Sequence, residues 1–307
     1  MRRCAFLTLD DRSGYVIDDE LAIPAMAEAG WQVDSVPWRA AVDWNEWEAV
    51  LIRSPWDYQD DPAGLLSVLE AIDSSTARLA NSLETVRWNL RKTYLRDLET
   101  RGATVVPTLW GLDAPPTVAS LRATFEAEEF QPELEGRSRG IVVKPVVSAN
   151  ADDTFVLRDD ASDDQLKSIA GTFTLPSGAV RPHMVQPFLR RIVDEGEVSL
   201  FFFGGDFSHA VVKTPRRGDF RVQEEHGGRI VALDVDLATR RRIDRCADKV
   251  MAAIRPTPLY ARVDLVRMAG GDFAVMELEL IEPSLYFRMD PDAPRRFVDA
   301  FVRWMRC

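Results

Sequence analysis

Leu259-Tyr260-Ala261-Arg262-Val263-Asp264-Leu265-Val266-Arg267-Met268, then Ala269-Gly270-Gly271-Asp272, then Phe273-Ala274-Val275-Met276-Glu277-Leu278-Glu279-Leu280-Ile281 is the stretch that decides the fold. Both arms alternate apolar and polar residues, and successive side chains of a β-strand point to opposite faces. Arg262 and Asp264 therefore share one face of the first strand, and Glu277 and Glu279 one face of the second. Gly270-Gly271 predicts a two-residue hairpin turn. That turn sets Asp264 opposite Glu277 and Arg262 opposite Glu279. Like charges directly across a strand pair cost stability, so three carboxylates on one face call for a cation. Hard oxygen ligands with no histidine nearby point to Mg2+ or Mn2+ rather than zinc. A solvated polar face, with Arg262 neutralising a neighbour, is the competing reading.

Magnesium held by so few carboxylates usually carries substrate phosphates as well. Neither a GxxxxGK[ST] loop nor a GxGxxG turn is present to bind them. The chain offers Lys92 on an early helix and Lys144 at the end of an apolar strand, before Pro145. Ser148-Ala149-Asn150-Ala151 follows, small enough for a loop to approach phosphate. The strand Met184-Val185-Gln186-Pro187-Phe188-Leu189 then leads to Gly196-Glu197. Any one of these lysines alone reads as a surface charge; their order along the chain is more informative.

The 307 residues suit two or three packed lobes. With 46% hydrophobic and 28% charged residues, the composition is that of an ordinary globular protein. A formal net charge of -11 argues against a nucleic-acid-binding surface, which needs a basic face. Cys4, Cys246 and Cys307 are odd in number and lack metal-type spacing, as expected of reduced cytosolic thiols. The apolar run Cys4–Leu9 is too short for a secretory signal, and no run approaches the roughly 18 apolar residues of a membrane span. A cytoplasmic protein with no membrane partner is expected.

The first eighty residues read as strand (Cys4–Leu9), helix (Asp19–Ala29, stopped by Gly30), strand (Val50–Ile52), loop, and helix from Asp61-Pro62 to Ile72. This is the pattern of a parallel α/β lobe. One helix is expected over Thr85–Arg101, with Val86, Leu90, Tyr94 and Leu98 as its apolar stripe, and another over Thr117–Phe130. A polar loop at Gly136–Gly140 precedes the strand Ile141–Lys144. Phe155–Leu157 could pair with that strand, and Asp163–Ala170 could cover it. Strands follow at Met184–Leu189, Glu197–Phe203, Ser208–Lys213, Leu259–Met268 and Phe273–Ile281, with helices at Leu237–Ile254 and Arg295–Cys307.

This order resembles the ATP-grasp superfamily, as found in glutathione synthetase, D-alanine–D-alanine ligase and RimK-type ligases. The resemblance covers roughly residues 81–284. It rests most on Arg262-Val263-Asp264 with Glu277-Leu278-Glu279, and on Lys213-Thr214-Pro215-Arg216-Arg217-Gly218-Asp219-Phe220-Arg221 running to Gly227-Gly228. The second stretch is similar to a loop that folds over the reacting phosphate. The implied fold is α/β: an N-terminal parallel lobe (1–85), a central lid subdomain (86–187) and a C-terminal subdomain with the metal site (188–307), gripping ATP.

The resemblance also implies roles. Lys92 and Lys144 would bind ATP phosphates beside Ser148. Gln186, Pro187, Phe188 and Leu189 would form the adenine-reading hinge, and Glu197 would bind the ribose. Lys213, Arg221 and Arg262 would act on the phosphate and the developing charge. Asp264, Glu277 and Glu279 would ligate Mg2+ (or Mn2+). Glu279 departs from the asparagine common at its position and could instead face Arg262. Ser148–Ala151 lacks the usual glycines. The implied reaction phosphorylates a carboxylate to an acyl phosphate that an amine attacks, so the partners are a small carboxylate and an amine. A histidine base is optional in such a reaction: His209 and His226 are near enough in sequence to serve, although a lone histidine is more often structural or solvent-exposed.

Arg53, Trp56 and Tyr58 leave a strand end where α/β sites tend to lie and could contact substrate, as could Glu282, Ser284 and Arg288; a packed strand-end turn is the competing reading. Arg53-Ser54-Pro55-Trp56-Asp57-Tyr58 is similar to a segment in a bacterial subgroup that includes the cyclo-ligase of D-cycloserine biosynthesis. That similarity raises ring closure beside ligation of an amino acid or peptide. A silent nucleotide-binding module and an ATP-grasp kinase without an amine acceptor are the other readings. The oligomeric state is open, a homodimer included.

Overall fold

A computed structural model describes residues 1–130, 140–148 and 151–306. Most of the Gly136–Gly140 loop, Ala149, Asn150 and Cys307 lie outside the described residues.

Three sheets organise the chain. The first is parallel, in the order β2-β1-β3-β4, with β1 at Arg2–Thr8, β2 at Trp31–Pro37, β3 at Ala49–Ser54 and β4 at Arg78–Ala80. Alternation along β1 sends Cys4 and Phe6 into one core and Ala5 and Leu7 into another. Helix α1 (Ile23–Glu28) covers one face, and α2 (Pro62–Asp73) the other with Leu65, Leu69 and Ile72. Asp61 caps α2 by accepting from the Gly64 amide at 2.9 Å, with Pro62 at the first helical position.

The single helix expected over Thr85–Arg101 is instead two, α3 (Leu83–Asn89) and α4 (Tyr94–Thr100). Tertiary bonds win at the break. The Lys92 amide donates to the Val146 carbonyl at 2.9 Å instead of continuing the helix. The Asn89 side chain donates to the Leu278 carbonyl in β13 and accepts from the Leu280 amide just beyond it.

The second sheet runs β5-β8-β6-β7, with β5 at Leu109–Gly111, β6 at Gly140–Pro145, β7 at Phe155–Arg158 and β8 at His183–Pro187. Helices α5 (Val118–Glu126) and α6 (Asp163–Thr172) cover it, sharing a core of Leu121, Phe125, Ile141, Val143, Leu166 and Phe173. A short helix α7 (Arg190–Asp194) leads into the third sheet, ordered β11-β10-β9-β12-β13. Its strands are β9 (Glu197–Phe203), β10 (Asp206–Thr214), β11 (Arg229–Ala232), β12 (Tyr260–Arg267) and β13 (Phe273–Glu279). Helix α8 (Leu237–Ala253) packs on one face through Ile243, Ala247 and Val250. Helix α9 (Ala293–Trp304) joins the other face to the first sheet through Phe297 and Phe301, against Phe201 and Phe203.

The β12–β13 pairs are those expected: Asp264 opposite Glu277 and Arg262 opposite Glu279. The turn is not. Gly271 takes φ +81, Met268 and Asp272 close a three-residue loop, and Arg267 rather than Met268 pairs with Phe273. A bulge between Val275 and Glu277 then leaves Met276 unpaired and restores the register. Bulges of this kind re-aim side chains beside functional sites. Here Met276 and Glu277 both line the same cavity.

Candidate active site

One strand shows how the site is placed. Along β9, Phe201 and Phe203 join the core beneath α9, while Glu197 and Ser199 sit at the end that opens on a cavity between the second and third sheets. That cavity has a volume of about 210 Å³. Its walls bring together Lys92 from the α3–α4 junction, Lys144 from β6, Gln186–Leu189 from the end of β8 and just beyond it, Lys213 from β10, and the β12–β13 carboxylates.

Carboxylate oxygens of Asp264, Glu277 and Glu279 lie within 4.8 Å of one another, close enough to share a metal ion. Burial alone would raise Asp264, but Arg262 and Lys213 prevail and hold it down at about 2. Arg262 donates to both Asp264 oxygens at 3.1 Å and also pairs with Glu279. Burial nevertheless pushes Glu279 up to about 8, with Glu277 and Asp264 adding repulsion. The donor set thus fits a divalent cation, whose charge relieves that repulsion.

The cations are set for an anion. Burial works against Lys92, yet Glu277 at 2.7 Å raises its pKa; Nζ also donates to the Ser148 carbonyl at 3.0 Å. Lys144 is buried, and among the described residues it has no ion-pair partner, so desolvation lowers its pKa. Lys213 pairs with Glu197, and with Asp264 at 3.4 Å. Arg221 reaches the cavity but is held by Asp219 at 2.8 Å. Three lysines and two arginines beside three clustered carboxylates suit a metal-bound polyphosphate.

Of the residues expected to touch substrate, Trp56, Tyr58, Glu282 and Ser284 line the cavity. Arg53 does not. It is 1% exposed, donating to Asp19 at 2.9 and 3.0 Å and to the Pro283 carbonyl at 2.9 Å. A guanidinium this deep must be paired inside the protein, so its carboxylate partner is Asp19. Arg288 bridges Asp18 and Glu224 instead of lining the cavity. His209 is structural: its Nε2 lies 3.0 Å from the Leu285 carbonyl and its ring stacks on Phe201. His226 sits in a short turn before Gly227 and does not line the cavity.

Sequence reasoning missed Ser199, which donates to Asp264, and Thr108, which accepts from the Gln186 side chain at 3.0 Å. The period-two pattern of β9 offered a signal for Ser199, since it shares a face with Glu197. Thr108 lies in a stretch with no periodic signal.

Comparison with known proteins agrees with this geometry. A profile for the ATP-grasp domain of prokaryotic glutathione synthetase matches residues 113–257, and one for the N-terminal domain of D-cycloserine synthetase DcsG matches residues 4–81. The chain belongs to the ATP-grasp superfamily and is an ATP-dependent ligase. Among individual proteins, it is 30% identical over 275 residues to the cycloserine biosynthesis protein DcsG of Streptomyces lavendulae, covering 86% of each chain. The crystal structure of D-cycloserine synthetase DcsG superposes with a TM-score of 0.81 at 29% identity, covering 99% of each chain. D-Alanine–D-alanine ligase from Bacillus anthracis, complexed with ATP, matches at TM-score 0.65 and 13% identity over 99% of this chain and 97% of that one, which shows the shared fold. Family membership brings with it the use of ATP and a divalent metal. Among the described residues, no helix is long and apolar enough to cross a membrane.

Proposed function

We propose that the chain is an ADP-forming carboxylate–amine ligase working through an acyl phosphate. The observation that carries this reading is the gathering of Asp264, Glu277 and Glu279 against Lys92, Lys144, Lys213 and Arg262 in one cavity. Asp264, Glu277 and Glu279 hold Mg2+, which neutralises phosphate charge when bound. Lys92 and Lys144 orient the phosphates beside Ser148. Gln186–Leu189 face the base, and Glu197 the ribose. Lys213 and Arg221 steady the transferred phosphoryl group as it moves from ATP to a substrate carboxylate oxygen. Arg262 stabilises the oxyanion formed when the amine adds to the acyl carbon. The segment 215–228 keeps water from the acyl phosphate. The three sheets support the division at 85 and 187, although α3 and α4 also lean on the third sheet through Asn89 and Tyr94.

The finer reading is intramolecular ring closure of a small amino-acid-derived metabolite. It is favoured by the match of both the N-terminal domain and the whole chain to D-cycloserine synthetase. ADP release with ATP and Mg2+ is measured against a panel of amino acids, with and without a second amine. ADP formed only with both partners supports intermolecular ligation. ADP with a product lighter than its substrate by one water, and no second amine, supports ring closure. Nucleotide binding without turnover on any member of the panel counts against the ligase mechanism.

A further inference from the structure

Glu282 differs from every other carboxylate in the cavity's interior. Glu197 pairs with Lys213, Asp264 and Glu279 with Arg262, Glu277 with Lys92, and Glu224 with Arg288. Glu225, which also lines the cavity, is exposed. Among the described residues Glu282 has no ion-pair partner, and Tyr58 lines the same cavity. Burial keeps this carboxyl up at about 7, with Tyr58 and Lys92 opposing.

Its position is fixed from the N-terminal lobe. The Glu282 carbonyl accepts from Trp56 Nε1 at 2.9 Å, and the next carbonyl, that of Pro283, accepts from Arg53. Trp56, braced by Tyr15 at 5.4 Å between ring centroids, forms an aromatic wall of the same cavity. A carboxylate with no ion-pair partner among the described residues, in a cavity that also has an indole in its wall, is chemistry that favours an organic cation. An inorganic ion is the poorer fit, because the aromatic wall offers no oxygen ligands.

We propose that Glu282, held at its backbone carbonyl by Trp56 and sharing the cavity with the Trp56 and Tyr58 rings, binds an ammonium group of the substrate and so selects a small α-amino acid derivative. This rests on the ligase reading, and it assigns the ammonium a holding role. An amine kept protonated against a carboxylate has no lone pair to attack with, so Glu282 grips the non-reacting amine. In an α-amino acid that amine is two bonds from the carboxyl carbon. The grip therefore sets where the activated carboxylate lies relative to Arg262 and the metal-binding carboxylates.

The test uses serine and 3-hydroxypropanoate, which differ only by the α-ammonium. Each is titrated into the full-length protein loaded with a non-hydrolysable ATP analogue and Mg2+. The wild type is expected to bind serine at least about 10-fold more tightly, and Glu282→Gln to erase the preference. Glu282→Gln is also expected to melt no lower than wild type without ligand, since it removes an unpaired charge; a lower melting point assigns the residue a structural role and overturns the proposal. Trp56→Leu keeps the carboxylate and should weaken serine binding while leaving some preference. Equal binding of the two probes by wild type, binding of neither, or a preference that survives Glu282→Gln overturns the ammonium site. Binding of the ATP analogue with Mg2+ judges the ligase reading separately: if it stabilises the wild type while serine shows no advantage, only the ammonium site falls.

Discussion

Lys92 Nζ lies 2.7 Å from Glu277 Oε1, joining the α3–α4 junction to the bulged strand β13 across 185 positions of sequence. The pairing raises the Lys92 pKa against the pull of burial and lowers that of Glu277 in the same way. In the proposed reaction the two groups serve different partners, phosphate and metal. Their ion pair therefore describes the ligand-free protein.

Glu277→Gln separates those roles. In the presence of Mg2+ the variant is expected to bind an ATP analogue on the order of 100-fold more weakly. With metal chelated, its affinity should equal or exceed that of wild type, because Lys92 is released toward phosphate. Calorimetric titration with and without Mg2+ checks both. An equal loss in the two conditions would show that Glu277 does not act through the metal.

Lys144 exchanges stability for binding. The residue is 8% exposed, and among the described residues no carboxylate pairs with it. Lys144→Met is expected to stabilise the ligand-free protein by on the order of 1 kcal/mol. With a saturating ATP analogue and Mg2+ the order should reverse, because ligand stabilisation grows with affinity. Urea midpoints with and without ligand provide the measurement.

Arg53 makes the opposite case. Arg53→Met strands Asp19, whose side chain is 10% exposed, and should destabilise by about 3–5 kcal/mol. Adding Asp19→Asn is expected to recover part of the loss, as a double-mutant cycle would read it. A stable Arg53→Met protein with an altered substrate requirement would return Arg53 to the site.

His209 sets an acid limit on stability. Burial lowers its pKa to about 4 from an ordinary 6.5, against weaker help to the charged form from the Leu285 carbonyl. Between those values the unfolded chain binds a proton that the folded chain does not. The stability is therefore complete above about pH 6.5 and lost as pH falls toward 4, by up to about 3 kcal/mol. His209→Phe should be less stable at pH 7, having lost the bond to Leu285, yet lose less between pH 7 and 4.5. Urea unfolding of both proteins at the two pH values is the check.

The clustered carboxylates were legible early because a strand's period of two is strict. Once Arg262, Asp264, Glu277 and Glu279 alternate with apolar neighbours, their common face follows without tertiary information. The pairing was right although the turn was wrong, since the longer loop at Gly271 and the bulge at Met276 offset one another by one residue each. Local pattern cannot anticipate such an offset. The helix break at Lys92 was hidden for a related reason. Its apolar stripe is continuous, and only the distant Val146 carbonyl and the β13 backbone give that turn better partners than the helix does.

Strand alternation, apolar stripes and the order of charged residues are local properties, so the sequence alone determined the element types, the acidic hairpin face and the resemblance to ATP-grasp ligases. Which charges face the cavity was decided by the tertiary structure. Arg53 and Glu282 look alike in sequence, each a charge at a strand end, yet folding pairs Arg53 with Asp19 and leaves Glu282 with no ion-pair partner among the described residues. The energy of a buried charge depends on what lies within a few ångströms of it, and those neighbours come from parts of the chain that only the fold brings together.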